Sequence, residues 1–244
     1  MLQRFTQRVD RRFAALLDIV ILASTLSLGS LLDHVNAVVH ALEKHDLQAA
    51  RATLARIVGR DTQKLDAPEI CRAAIETLAE SLCDGIVAPL CYAAAGGPVA
   101  AMSYKAVNTL DSLFGHIEPP YTYFGWCSAR ADDLANFLPA RISAFAIIAT
   151  SQVLEKNGKR ALKTYLADRH RHRSPNAGQC EAAMAGALQV RLGGTNTYEG
   201  AASSTPYLGV EYASPGLEDV RRAIRIITIA TVLCYGVALV FARR

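Results

Sequence analysis

The run Gly85-Ile86-Val87-Ala88-Pro89-Leu90-Cys91-Tyr92-Ala93-Ala94-Ala95-Gly96-Gly97-Pro98-Val99-Ala100-Ala101-Met102-Ser103-Tyr104 carries no charge over 20 residues. About 20 such residues are what a helix needs to cross a bilayer core. Pro89, Gly96, Gly97 and Pro98 interrupt it, so it predicts a broken or re-entrant segment whose freed backbone groups face protein or a water-filled cavity. Three more runs have the same character. Residues 226–242 are free of charge, 13–32 are interrupted only by Asp18, and 134–154 only by Arg141. The pattern predicts an all-α fold, a polytopic integral membrane helical bundle with broken or re-entrant helices and polar helical loops, formed as one membrane domain over residues 1–244. A soluble helical protein is the competing reading, because 16 glycines and many alanines dilute these runs.

The formal charge of +4 comes from 26 basic against 22 acidic residues. Arg4, Arg8, Arg11 and Arg12 precede the first apolar run, Arg221, Arg222 and Arg225 precede the last, and Arg243-Arg244 close the chain. Such flanks suit cytoplasmic ends of membrane helices. No basic stripe carries interleaved aromatics, so nucleic acid is not an expected partner. The N-terminus has no small-residue cleavage site, which leaves residues 13–32 as an anchor. Six cysteines without metal spacing or a C-x-x-C pair read as reduced and mostly buried.

Four polar stretches carry the chemistry. Asp46 caps a helix that Gly59 ends, and Asp66-Ala67-Pro68-Glu69 is a capping box for a helix running to about Cys83. On that helix Glu76, Glu80 and Asp84 repeat at four-residue spacing, with Arg72 one turn earlier. Stacked carboxylates repel unless a cation or donor sits among them, so the stripe is either a Mg²⁺ or amine site or a solvated acidic face. In the amphipathic stretch 103–115, Lys105, Asn108, Asp111 and Ser112 share one side. Lys105 suits a phosphate and Asp111 a metal or an amine. The loop 116–128, with Pro119-Pro120 and Tyr121, Tyr123, Phe124 and Trp126, suits a membrane interface or the edge of a flat ligand.

Asp132 and Asn136 lie one turn apart beside Asp133, and Pro139 frees the carbonyl of Ala135. Such an oxygen-rich group suits a Mg²⁺-phosphate complex, or a structural network with Arg141. Arg141 is costly in an apolar run unless it meets these carboxylates or an anion. Ser174 reads as an N-cap with Pro175 at the first helical position, behind Arg169, His170, Arg171, His172 and Arg173. An anion would sit there, although a well-capped, tightly packed helix explains the same spacing. Neither a P-loop nor a dinucleotide fingerprint is present.

Five motifs together resemble the CobD/CbiB family of adenosylcobinamide-phosphate synthases. They are Val58-Gly59-Arg60-Asp61-Thr62, the run from Ala79-Glu80-Ser81 to Pro89-Leu90, Tyr104-Lys105-Ala106-Val107-Asn108-Thr109-Leu110-Asp111-Ser112, the run from Ala129-Arg130 to Asn136 with Pro139-Ala140-Arg141, and Ser174-Pro175-Asn176-Ala177-Gly178 with residues 181–188. The resemblance implies a multi-pass cell (inner) membrane enzyme that joins adenosylcobyric acid to (R)-1-aminopropan-2-ol phosphate, or aminopropanol, as an amide. ATP would be its co-substrate, Mg²⁺ its metal, and the lipid bilayer and a cobalamin synthase complex its partners. A non-catalytic membrane subunit of that assembly is the alternative, and a membrane sensor of the same fold a weaker one.

The chain departs from the family pattern in two ways. It begins inside the family's second hydrophobic hairpin, and Ser81 and His116 stand where asparagine and tyrosine are usual. Carried onto this sequence, the expected chemistry gives Glu80, Asp84, Lys105, Asp111 and Arg141 catalytic roles. Asp84, Asp132 and Asp133 would take the metal. Asn108, Arg130, Asn136, Arg171, Arg173, Ser174, Asn176 and Glu181 would hold substrates. A cytoplasmic active site sets a topological condition. If all four apolar runs crossed the bilayer, residues 105–133 and 155–222 would face opposite sides, so either 85–104 or the Pro139-kinked 134–154 should be re-entrant.

Overall fold

A computed structural model describes residues 11–115 and 124–242. The expectations placed on Arg4, Arg8, His116, Pro119-Pro120, Tyr121, Tyr123 and Arg243-Arg244 lie outside these residues, as do the side chains of Arg11 and Phe124. In chain order the elements are α1 (Arg11–Thr25), α2 (Leu28–Glu43), α3 (Leu47–Leu54), α4 (Ala67–Leu82), a π-turn (Cys83–Val87), α5 (Ala88–Phe114) and α6 (Phe124–Ala135). Then come α7 (Phe137–Leu154), α8 (Gly158–Asp168), α9 (Ala177–Leu188), the strands β1 (Leu192–Tyr198) and β2 (Ala201–Leu208), and α10 (Leu217–Ala242).

Four segments are long and apolar enough to cross a membrane: Arg12–Glu43, Ala67–Phe114, Phe137–Leu154 and Leu217–Val240. Large apolar side chains stand exposed along them, among them Leu16 and Val20 on α1, Val99 on α5, Leu138 on α7 and Val232 on α10. Lipid is the solvent such surfaces suit. The architecture is therefore that of an all-α multi-pass membrane protein, with one small hairpin added.

The decisive run 85–104 reverses direction. At Gly96 and Gly97 the backbone leaves helical geometry, with φ +70° at Gly97, a conformation glycine adopts without a Cβ penalty. Pro98 then opens the second arm, where its missing N–H costs no hydrogen bond. In a continuous helix Tyr92 and Tyr104 would lie about 18 Å apart; their rings stack with centroids 5.1 Å apart. The Tyr104 hydroxyl also lies 3.5 Å from the Asp84 carbonyl. The second arm thus returns Asn108 and Asp111 to the level of Glu80 and Asp84.

The other candidate for re-entrance does not kink. Pro139 lies in the first turn of α7, where the helix has no N–H partner to lose, and α7 is continuous to Leu154. The Ala135 carbonyl is free of the helix as expected, and it accepts the Tyr92 hydroxyl at 3.1 Å.

Helix α4 starts as its capping box requires, with the Glu69 N–H donating to Asp66 Oδ1 at 2.9 Å. Ile70, Ile75, Leu78 and Leu82 are buried in a core that α4 shares with α9 and α10, and α9 is buried from Gly178 to Leu188. Two local expectations are corrected. The Asp46-capped helix ends at Leu54 rather than Gly59. The helix after Ser174 opens at Ala177, because Ser174 Oγ first accepts the N–H groups of Asn176 and Ala177 in a turn that places Pro175 outside it. The antiparallel β1–β2 hairpin was not anticipated. It turns on Glu199 and Gly200, both at positive φ, as tight hairpins demand.

Candidate functional site

A cavity of about 340 Å³ opens where α4 and the π-turn, the second arm of α5, α6 and the entry to α9 converge. Glu80 and Asp84 reach it from the first of these, Asp111 from the second, and Arg130, Asp132, Asp133 and Asn136 from α6 and its end. Arg173, Ser174 and Asn176 complete the wall. Ten of the expected site residues thus share one cavity. The chain reversal at Gly97 and the packing of α4 against α9 make this possible.

Asp132 is held on both oxygens. Asn108 Nδ2 donates to its Oδ1 at 3.2 Å and Asn136 Nδ2 to its Oδ2 at 3.0 Å. Asn136 is fixed in turn, its Oδ1 accepting the Tyr104 hydroxyl at 2.9 Å. Burial pushes the Asp132 carboxyl above its ordinary range; the two amide donors pull it back, and the charge of Asp133 pushes it up again. Asp133 pairs with Arg130 at 3.0 Å on an exposed edge, where such a pair adds little stability.

The entry to α9 is tied to the same wall. Asn176 Nδ2 donates to the Asp133 carbonyl at 2.8 Å, which leaves its buried Oδ1 without a partner among the described residues. Buried acceptors of this kind call for a ligand or an ordered water. Behind the wall, Glu181 lies 3.8 Å from His172. Burial and the charges of Glu76 and Glu80 raise the Glu181 carboxyl well above its usual range. Burial lowers His172, and the Ser174 N–H donates to its Nδ1 at 3.0 Å. Both shifts favour the uncharged forms of the two groups.

Several expected residues are placed elsewhere. Arg141 does not meet the carboxylates: its guanidinium donates to the Phe137 carbonyl and lies 3.6 Å from the Phe137 ring centroid. The Phe137 carbonyl one turn earlier has a second lone pair to accept the guanidinium, which lowers the cost of the charge. Lys105 does not line the cavity. Arg171 pairs with Asp168 at 3.3 Å, Asn108 stands behind Asp132, and Glu181 is buried beneath the wall.

The stripe of Glu76, Glu80 and Asp84 divides. Glu76 joins Arg60 and Arg72, while the other two face the cavity. Among the described residues no three His, Cys, Asp or Glu side chains gather as a metal cluster. The sequence reading missed Tyr92 and Tyr104, whose hydroxyls hold α6 and α7. Their one signal was two tyrosines inside an uncharged run.

Fold and site together define a multi-pass helical membrane protein with an acid-rich cavity at the base of a reversing helix. The profile of the CobD/Cbib protein family matches residues 1–227, and the chain belongs to that family. It is 40% identical over 232 residues to the cobalamin biosynthesis protein CobD of Leptospira interrogans, covering 95% of this chain and 74% of that protein. To CobD of Desulfotalea psychrophila it is 43% identical over 244 residues, covering 94% and 73%. The cobalamin biosynthesis protein CbiB of Salmonella typhimurium is 40% identical over 238 residues, covering 98% and 74%. No solved structure matches.

Proposed function

We propose that the chain acts in cobalamin biosynthesis, as an ATP-dependent ligase joining a corrinoid carboxylate to the amine of aminopropanol phosphate. The observation that carries this reading is the mixed charge of the cavity lining: a first group of cations, Arg130 and Arg173, and a second group of carboxylates, Glu80, Asp84, Asp111 and Asp132. An anion suits the first group, through charge-assisted hydrogen bonds. An ammonium suits the second. A short molecule carrying both charges spans the two. At about 340 Å³ the cavity takes phosphates and a side-chain tip rather than a macrocycle, so the corrin ring would rest at the mouth, where Trp126 is 55% exposed.

A carboxylate and an amine do not condense unaided in water. The corrinoid carboxylate oxygen would attack the γ-phosphorus of ATP, releasing ADP and leaving an acyl phosphate. The amine, once it has lost a proton, would attack the acyl carbon and expel phosphate. Glu80 or Asp111 would take that proton, and Arg173 would hold phosphate oxygens. Mg²⁺ is held through one or two carboxylates plus substrate phosphates. The acid-rich wall fits that need without a three-ligand cluster, with Asp84, Asp132 and Asp133 as the residues that would hold it. When bound it would neutralise phosphate charge.

The test is a product assay on the purified protein in lipid with adenosylcobyric acid, aminopropanol phosphate, Mg²⁺ and ATP, reading the new amide by mass. Product that requires ATP supports the ligase. No product from folded protein refutes it and leaves the non-catalytic membrane subunit as the reading.

A further inference from the structure

Helices α1 and α2 are separated by Leu26 and Ser27, and this break lies against the π-turn that carries Asp84. Ser27 occupies the N-cap position of α2, yet its hydroxyl makes no cap bond there. Its N–H, one of those a helix start leaves without a partner, donates to the Gly85 carbonyl at 3.1 Å. Its Oγ lies 3.5 Å from the same oxygen. The turn closes through a wide bond from the Ala88 N–H to the Cys83 carbonyl, and single π-turns within helices are found frequently at functional sites. From the far side the Tyr104 hydroxyl reaches the Asp84 carbonyl. Two successive carbonyls of the turn are thus gripped, one by the returning arm of α5 and one by the α1–α2 break.

Space is as restricted as bonding. A Cβ on Gly85 would stand 2.1 Å from Ser27 Oγ but 3.5 Å from Ser27 Cβ. Removing the hydroxyl alone would make room for the methyl group.

We propose that Ser27 and Gly85 are positioning residues: the break between the first two helices sets the aim of Asp84 into the cavity, so the N-terminal apolar helices tune the reaction as well as anchoring the chain. This rests on the reading of the cavity as the site of amide formation.

The test compares Gly85→Ala, Ser27→Ala and the double variant, each as the full chain in lipid. Sub-ångström to ångström displacements of a reacting group cost up to about a hundredfold in rate, and a turn moved by one methyl group should lose about tenfold in kcat. The KM for aminopropanol phosphate should change less than kcat, because its phosphate end rests on Arg173 rather than on the turn. The double variant should recover to within about twofold, the compensation expected of residues in direct contact.

A second readout needs no turnover: alkylation of Cys83, a cavity-lining thiol of the turn that is 3% exposed, by N-ethylmaleimide, followed by site-resolved mass spectrometry. It should quicken in Gly85→Ala and return to the parent rate in the double variant. Wild-type protein that makes no amide while Cys83 behaves this way would sink the ligase reading and leave the contact standing. Unchanged kcat and Cys83 alkylation in Gly85→Ala, or losses that Ser27→Ala does not restore, overturn the inference.

Discussion

Glu76 and Glu80 lie one turn apart on α4 and are treated in contrary ways. Glu76 is 4% exposed, and each of its oxygens is matched: Oε1 accepts Arg72 at 2.9 Å and the Gly193 N–H at 2.8 Å, and Oε2 pairs with Arg60 at 2.6 Å. Asn196 Oδ1 on β1 accepts from both arginines at 2.8 Å. This cluster fastens the hairpin to α4. Glu80 instead shares the cavity with Asp84, Asp111 and Asp132, while the cations Arg130 and Arg173 stand exposed at its rim. A buried charge with every lone pair satisfied is architecture; like charges gathered in a cavity persist where a ligand will neutralise them.

That contrast can be broken by substitution, and the largest effect should come from the matched cluster. Glu76→Ala leaves Arg60 with Asn196 and Arg72 with Asn196 and Glu69, a loss of about 3 kcal/mol. For a chain of this size the thermal midpoint in detergent should fall by about ten degrees, with the hairpin becoming sensitive to protease. Glu80→Gln should leave the midpoint within a degree or two, because its carboxylate faces the cavity. Equal destabilisation of the two variants would erase the distinction drawn between the clusters.

Asp132→Ala should lower turnover at least about a hundredfold while membrane insertion and midpoint stay near those of the parent. Turnover close to the parent's would remove Asp132 from the reaction. Its environment also sets a pH dependence. Because burial outweighs its two amide donors, Asp132 ionises at higher pH than an ordinary aspartate, and activity that needs the carboxylate should fall on acidification correspondingly early. Asn108→Ala removes a donor that favours the ionised form, so the acidic limb of the rate profile should move to higher pH; a move to lower pH would contradict the assignment.

Glu181 gives a smaller effect of definite sign. Its folded carboxyl is raised, whereas an unfolded glutamate ionises near about pH 4.3. Below that pH both states hold the proton and nothing differs. As pH rises past it, the unfolded chain releases a proton that the fold retains, and stability falls until the raised folded value is passed. Glu181→Gln should therefore match the parent at pH 4 and melt higher than it at pH 7, and a Gln variant that melts lower at pH 7 would place a charged Glu181–His172 pair there instead. Smallest of all, Arg141→Ala should change turnover less than about twofold, as expected for a charge satisfied within its own helix and near the surface.

The four apolar segments, the capping box at Asp66 and the break at Gly96-Gly97-Pro98 were legible because each is a local matter of hydropathy, side-chain reach and φ. So were ten of the cavity residues, through charge placed beside apolar runs. The place of Arg141, apart from the carboxylates, was not legible because its partner, a carbonyl one turn earlier, leaves no trace in composition. The hairpin escaped because its Thr, Asn and Gly residues show no apolar alternation; Arg60, Arg72 and Glu76 supply what its own side chains lack.

The sequence by itself determined that the chain is helical, apolar enough for a membrane and rich in carboxylates at the edges of its apolar runs, since these properties depend only on neighbours along the chain. The tertiary structure decided which carboxylates meet. Glu76 and Glu80 have the same chemistry and the same helix, and their roles diverge because β1 brings Asn196 to one of them, while the reversal at Gly97 brings Asp111 to the cavity that the other faces.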